Sequence, residues 1–184
     1  MKKWIVTIVW ALGLVVPVMG QKATMMVPME EPKEEVVWIS WEEAYERSLT
    51  DENPKKVFVD VYTDWCGWCK RMDATTFSDP KLMAYMSKKY YLVKLDAEQK
   101  ADIVFKGHTF KYVASGRRGY HQLAAALLQG KLSYPTTVFL DEEFNIITPV
   151  PGFRKAPEFF KIARFVGEEE YKKGVRASRR QTGK

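Results

Sequence analysis

The chain has little of what metal centres are made from. It contains two cysteines and two histidines in 184 residues, whereas a structural zinc site normally takes four such ligands. His108 and His121 stand well apart from Cys66 and Cys69 and lack the paired spacing of zinc ligands, so a metal is unsupported. Long apolar runs are missing too: after the first twenty positions no stretch reaches the ~18 residues that suggest a membrane span. The segment from Tyr171 onward contains no acid but holds Lys172, Lys173, Arg176, Arg179, Arg180 and Lys184, six positive charges. Lys2 and Lys3 belong to the leader, which leaves Gln21 to Glu170 at −2 within a whole-chain net charge of +6. The folded part therefore offers no basic nucleic-acid surface. Residues 172–184 read as a solvated, disordered tail, with attraction to anionic membrane surfaces as the alternative.

At the other end, a short positive region at Lys2 and Lys3 precedes the apolar Trp4 to Val16, and small or moderate residues precede a cut ahead of Gln21. Residues 1–20 look like a secretory signal peptide, which points to the periplasm. An uncleaved membrane anchor is the alternative, although the apolar run is near the short end for a span. No cysteine stands at the cleavage point to take a lipid. Residues 21–35 carry Met25, Met26, Pro28, Met29 and Pro32 among charges, without helical or strand period, and read as a linker. Soft methionine sulfurs are copper(I) ligands in principle, but no histidine or cysteine lies nearby.

Structure is expected from Val36. Ser40 and Glu43 have capping-box spacing ahead of an amphipathic helix to about Leu49. Val57 to Tyr62 is a β-branched and aromatic run of the kind found in a central strand covered on both faces. Asp60 is its odd residue, because a carboxylate there is penalised unless paired, protonated or solvated. The chain then passes Thr63, Asp64 and Trp65 to reach Cys66-Gly67-Trp68-Cys69-Lys70 and a helix-compatible sequence. Both cysteines thus sit where a strand hands over to a helix.

Three roles compete for that pair: a staple, half of a metal clamp, or a reactive dithiol. As a staple, so small a loop stabilises by only roughly 2 kcal/mol, against ~3 for a fifteen-residue loop. A thiolate at a helix N-terminus, by contrast, meets unsatisfied backbone N–H groups and the favourable end of the dipole. Cys66 would then be the exposed attacking sulfur and Cys69 the more buried one that resolves the mixed disulfide, with Lys70 an added positive charge.

The segment VDVYTDWCGWCK resembles the active-site segment of the thioredoxin superfamily, in particular bacterial envelope thioredoxin-like proteins with a WCGWCK-type site. The resemblance covers roughly Val36 to Tyr171. It implies an α/β, thioredoxin-like three-layer sandwich around a mixed central sheet, as a single domain over 36–171. Asp60, six positions before Cys66, falls where the family places a buried carboxylate that relays a proton for the inner cysteine. Tyr91 to Asp96 looks like the following strand, with Lys94 matching a lysine that neighbours that carboxylate. Ser133 to Leu140 resembles the segment whose proline, here Pro135, has a cis peptide bond and faces the disulfide, and Gly152 resembles a glycine near the active surface. The implied substrate groove is formed by Trp65, Gly67, Trp68, Lys70, Tyr134 and Gly152 beside Pro135.

Three departures from the family stand out. Gly67-Trp68 replaces the Gly-Pro dipeptide of cytosolic thioredoxins, which leaves the redox potential open. Tyr134 is bulkier than the residue common before the proline. About forty residues separate Asp96 from the proline loop, and within them 99–118 read as an inserted hairpin, Ile103 to Phe105 and Phe110 to Val113, with its turn at Lys106-Gly107-His108-Thr109. A helix is expected from Tyr120 to Gly130, with His121 capping or packing it. Arg117 and Arg118 read as a solvated loop, with contact to an anionic substrate as the alternative. Strands Thr137 to Leu140 and Asn145 to Val150 and a closing helix from Ala156 to Glu170 complete the domain.

The expected function is thiol–disulfide exchange with protein cysteines or a membrane redox donor, reductase slightly favoured, with no flavin, haem or metal implied. The alternative is a thioredoxin-fold binding module or maturation chaperone whose cysteine pair is not catalytic.

Overall fold

The computed structural model describes residues 36–173. The expected signal peptide (1–20), the expected linker (21–35) and residues 174–184 of the expected tail lie outside the described residues. Strand β1 (Trp38–Ile39) leads into α1 (Trp41–Thr50), whose N-cap Ser40 accepts a hydrogen bond from the Glu43 amide. Glu43 itself turns to Arg47, one helical turn on. The central strand β2 (Lys56–Tyr62) is followed by α2 (Gly67–Thr75), α3 (Pro80–Lys89) and β3 (Tyr90–Asp96).

The helix-compatible sequence after the cysteines is divided into two helices, α2 and α3. The cause is local. Asp79 caps a new helix by accepting from the Leu82 amide, and Pro80 occupies the first turn, where its missing N–H costs nothing.

The inserted segment forms β4 (Ile103–Phe105) and β5 (His108–Phe110), joined through Lys106 and Gly107, both at positive φ, the conformation a two-residue hairpin turn requires. The expected second strand stops at Phe110, because Lys111 is drawn aside: its N–H donates to Gln122 Oε1 and its carbonyl accepts from the Gln122 amide. A second ribbon follows, β6 (Tyr112–Val113) with β7 (Tyr120–His121), so Tyr120 is strand rather than helix. Gly119 makes this possible, since a Cβ there would stand 2.3 Å from both the Tyr112 ring and the Val113 carbonyl oxygen. Helix α4 (Gln122–Leu127) is capped by His121, whose Nδ1 accepts from the Leu123 amide. Burial lowers the His121 pKa and keeps the capping ring neutral.

Strands β8 (Thr136–Leu140) and β9 (Ile146–Pro151) and helix α5 (Ala156–Gly167) close the domain. The described chain is still helical at Lys172 and Lys173, and Lys172 pairs with Glu169, so the first two residues of the expected tail belong to the folded part.

The main sheet has the order β1-β3-β2-β8-β9, with β1 and β2 parallel to β3, and β8 and β9 each antiparallel to its neighbour. Alternation along β2 builds the layers. Val57, Val59 and Val61 pack with Trp41, Ala44, Leu123 and Leu127 of α1 and α4. Phe58 points to the other side, into a cluster with Met72, Leu82, Met86 and Phe159 from α2, α3 and α5. This is a three-layer α/β sandwich with a mixed sheet. The insertion is tied to the first of these layers through Ile103, 2% exposed, and through Phe105, which meets the rings of Trp41 and Tyr45 edge-on.

Candidate active site

The C-terminal end of β2 delivers the cysteines. A turn closes when the Cys66 amide donates to the Thr63 carbonyl at 3.0 Å. Cys66 is then the N-cap of α2, its Sγ accepting from the Cys69 amide at 3.1 Å. Sulfur here occupies the place usually taken by a capping oxygen, where the first-turn N–H groups favour negative charge. Cys66 and Cys69 are disulfide-bonded with their Cα atoms 5.3 Å apart. Cys66, expected as the exposed sulfur, is 4% exposed and Cys69 3%. Cys66 folds back over the helix start to reach both the Cys69 amide and its sulfur, which leaves little of it open. The exposed residues are its neighbours, Trp65 at 52% and Trp68 at 56%.

Asp60 lies on the Phe58 side of β2, the face that α2 covers, and in register with Lys94 and Thr137 on the flanking strands. Its carboxylate is almost wholly buried. Lys94 Nζ donates to Oδ2 at 2.9 Å, whereas Oδ1 has no hydrogen-bond partner among the described residues. Desolvation therefore pushes the Asp60 pKa from 3.8 up to about 6, and the Lys94 charge only partly opposes it. Lys94 is shared: it also binds Asp73 of α2. Burial works against the Lys94 charge, but the two carboxylates outweigh it and hold the ammonium above its ordinary range.

Asp73 was not singled out from sequence. Its signal was its spacing four residues after Cys69, which puts both on one face of α2 over the strand that carries Asp60. The chain Asp60–Lys94–Asp73 thus links the sheet to the helix that carries the inner cysteine.

The Tyr134–Pro135 peptide is cis, and the Pro135 carbonyl accepts from the Gly152 amide at 2.8 Å. Gly152 has φ +83, a conformation that favours glycine. Pro135 is itself buried, so the accessible wall beside it is the half-buried Tyr134, whose ring meets Trp65 edge-on at 6.0 Å. Trp65 Nε1 donates to Glu98 at the end of β3. Trp68 lies against Phe153, with the Arg71 guanidinium near both rings. Gly67 and Lys70 are exposed at the helix start.

Arg118 is exposed, as expected for a solvated loop, and also places its guanidinium 4.2 Å from the centre of the Trp65 ring. Nothing local in the sequence signals that contact, because it joins the turn before β7 to the segment just ahead of Cys66. Glu98 and Phe153 were missed because their contacts join distant segments, whereas Arg71 follows Trp68 by three residues on α2, a helical spacing that was readable.

The family model described as Thioredox_DsbH, a protein of unknown function (DUF255), matches residues 28–158. The thiol:disulfide interchange protein DsbD of Pectobacterium atrosepticum is 30% identical over 114 residues, covering 61% of this chain and 16% of that protein. DsbD of Yersinia pestis is likewise 30% identical, over 117 residues. The chain thus spans about a sixth of the length of these relatives. Among solved structures, a putative disulphide-isomerase from Bacteroides thetaiotaomicron superposes with TM-score 0.51 at 25% identity, covering 74% of this chain and 95% of that one. A DsbH oxidoreductase superposes with TM-score 0.52 over 81% of this chain and 94% of that one, and at 18% identity this is a likeness of fold.

Proposed function

The chain belongs to the thioredoxin-like Thioredox_DsbH family, and from that premise we propose that it is a thiol–disulfide oxidoreductase of the periplasm. It exchanges disulfides with protein cysteines or with a partner redox protein supplied by a membrane donor. The observation that carries this reading is the Cys66–Cys69 pair at disulfide distance on the N-cap and first turn of α2, with the Cys66 sulfur already accepting a backbone N–H. The same chemistry is named in the DsbD relatives.

In the reducing direction, the Cys66 thiolate attacks one sulfur of a partner disulfide. A mixed disulfide forms and the other partner sulfur leaves as thiolate. Cys69 then loses its proton to Asp60, and its sulfur attacks Cys66 Sγ, releasing the second partner thiolate. Two electrons pass to the partner, and the pair ends as the disulfide described above. A carboxylate with a pKa near 6 is suited to this transfer, since it holds or yields a proton close to neutral pH. Tyr134, placed by its cis peptide bond to the buried Pro135, forms the wall along which the partner chain lies. The oxidising direction runs the same steps in reverse, with the choice set by potential and electron supply.

Substitution Cys69→Ser removes the resolving sulfur. Incubated with an envelope extract, this variant is expected to accumulate adducts through Cys66 that a reductant releases. A pattern identical to that of Cys66→Ser would overturn the assignment.

A further inference from the structure

Three arginines flank the disulfide of a domain whose charge is balanced as a whole: residues 36–170 carry nineteen acids and nineteen arginines and lysines, with Asp64 and Glu98 among the acids near the same site. On one flank Arg118 lies over Trp65, and on the other Arg71 lies 5.4 Å from the Trp68 ring and 5.9 Å from that of Phe153. Arg154 Nη1 stands 3.5 Å from where a Cβ on Gly152 would be, next to the hydrogen bond that Gly152 makes with cis-Pro135. None of these three guanidiniums has an ion-pair partner among the described residues. Of the nearby acids, Glu98 accepts from Trp65 and Asp73 from Lys94, while Asp64 is open to solvent. Arg71 and Arg118 therefore lie over aromatic rings and keep their charge and N–H donors for an acceptor from outside, while Arg154 spends one N–H on the Phe153 carbonyl and keeps its charge. Both tryptophans are more than half exposed between these charges, the composition of a surface that holds a partner rather than of a solvated face.

We propose that this rim selects acidic polypeptide partners. The cysteine exchanged with Cys66 is carried on a segment with carboxylate side chains on both sides, one pairing with Arg118 and the other with Arg71, while Trp65 and Trp68 cover the backbone between. This rests on the oxidoreductase reading and names its substrate class. The exchange itself is the two-electron transfer described above, in which the reduced pair becomes the disulfide and the partner disulfide becomes two thiols. Charge on the partner alters encounter and orientation, not the balance of the reaction.

The test uses the full chain, reduced, and three otherwise identical peptides, each closed by one disulfide with Glu, Gln or Lys beside both cysteines. Each rate of protein oxidation is divided by the rate of the same peptide with a free neutral thiol, which removes the effect of flanking charge on the disulfide. At low salt the Glu peptide is expected to react about tenfold faster than the Gln peptide and the Lys peptide slower than either. The Glu-to-Gln ratio should fall toward one near 1 M salt, where screening acts over about 3 Å. The double variant Arg71→Gln, Arg118→Gln should bring that ratio to within about twofold at low salt, and Arg71→Lys, Arg118→Lys should retain most of it. Equal normalised rates for the three peptides with the unsubstituted chain, or a preference for Lys, would overturn the proposal, and this comparison decides even if a variant does not fold. Failure of the oxidoreductase reading looks different: neither any peptide nor the small neutral hydroxyethyl disulfide would oxidise the reduced protein.

Discussion

Replacing Asp60 by Asn in the disulfide form should make the protein more stable at neutral pH, and by an amount that the site's electrostatics set. Burial holds the Asp60 pKa at about 6 against an ordinary 3.8. Between those values the folded state binds a proton that the unfolded chain releases. Stability from this group is therefore fully present below about pH 3.8 and is lost as pH rises through about 6. A pKa raised by that much corresponds to roughly 3 kcal/mol. The amide of the Asp60→Asn variant keeps the shape and carries no charge to desolvate, so it escapes this loss but forgoes the Lys94 pair, while Lys94 keeps Asp73. The stability difference, variant minus wild type, should accordingly grow by up to about 3 kcal/mol between pH 4 and pH 7.5. Urea denaturation of both oxidised proteins across that range measures it, and the subtraction removes the slope due to all other carboxylates. A difference that stays flat, or that turns against Asn at pH 7.5, would mean that Asp60 sits ionised and well compensated, and the proton-relay role would lose its basis.

Lys94→Met should push the Asp60 pKa further above about 6, because the lysine charge is what opposes desolvation; a carboxyl NMR titration that stays put or moves down would contradict this. Gly119→Ala should cost about 1–3 kcal/mol in chemical denaturation, since the new methyl collides with the Tyr112 ring and the Val113 carbonyl. Phe159→Ala, which empties the centre of the α5 side of the core, should cost about 3–5 kcal/mol, and a change below about 1 kcal/mol would mean the aromatic cluster is not a packed core.

Much of the scaffold and the site was legible because its signals are local. The run Val57 to Tyr62 is strand by composition alone, Ser40 and Glu43 mark a helix start, and Pro135 sits where the superfamily has its cis bond. What the run could not tell was which side of β2 Asp60 faces, since a strand buried on both faces shows no alternation. Only the partition of Val57, Val59 and Val61 from Phe58 into separate clusters assigns it. The break before α3 was readable in principle from Asp79-Pro80, a cap followed by a first-turn proline. The division of the insertion at Lys111 was not, because it depends on the Gln122 side chain reaching back. Likewise Arg118 over Trp65 and Lys94 between two carboxylates are tertiary contacts between distant segments, and single-chain periodicity carries no information about them.

The central claim is that the sulfur capping α2 is the one that attacks. Limited alkylation of the fully reduced protein near neutral pH, followed by mass-spectrometric mapping, tests it most directly. The first adduct is expected at Cys66, with Cys69 left free. Initial modification at Cys69, or equal labelling of the two, would contradict it.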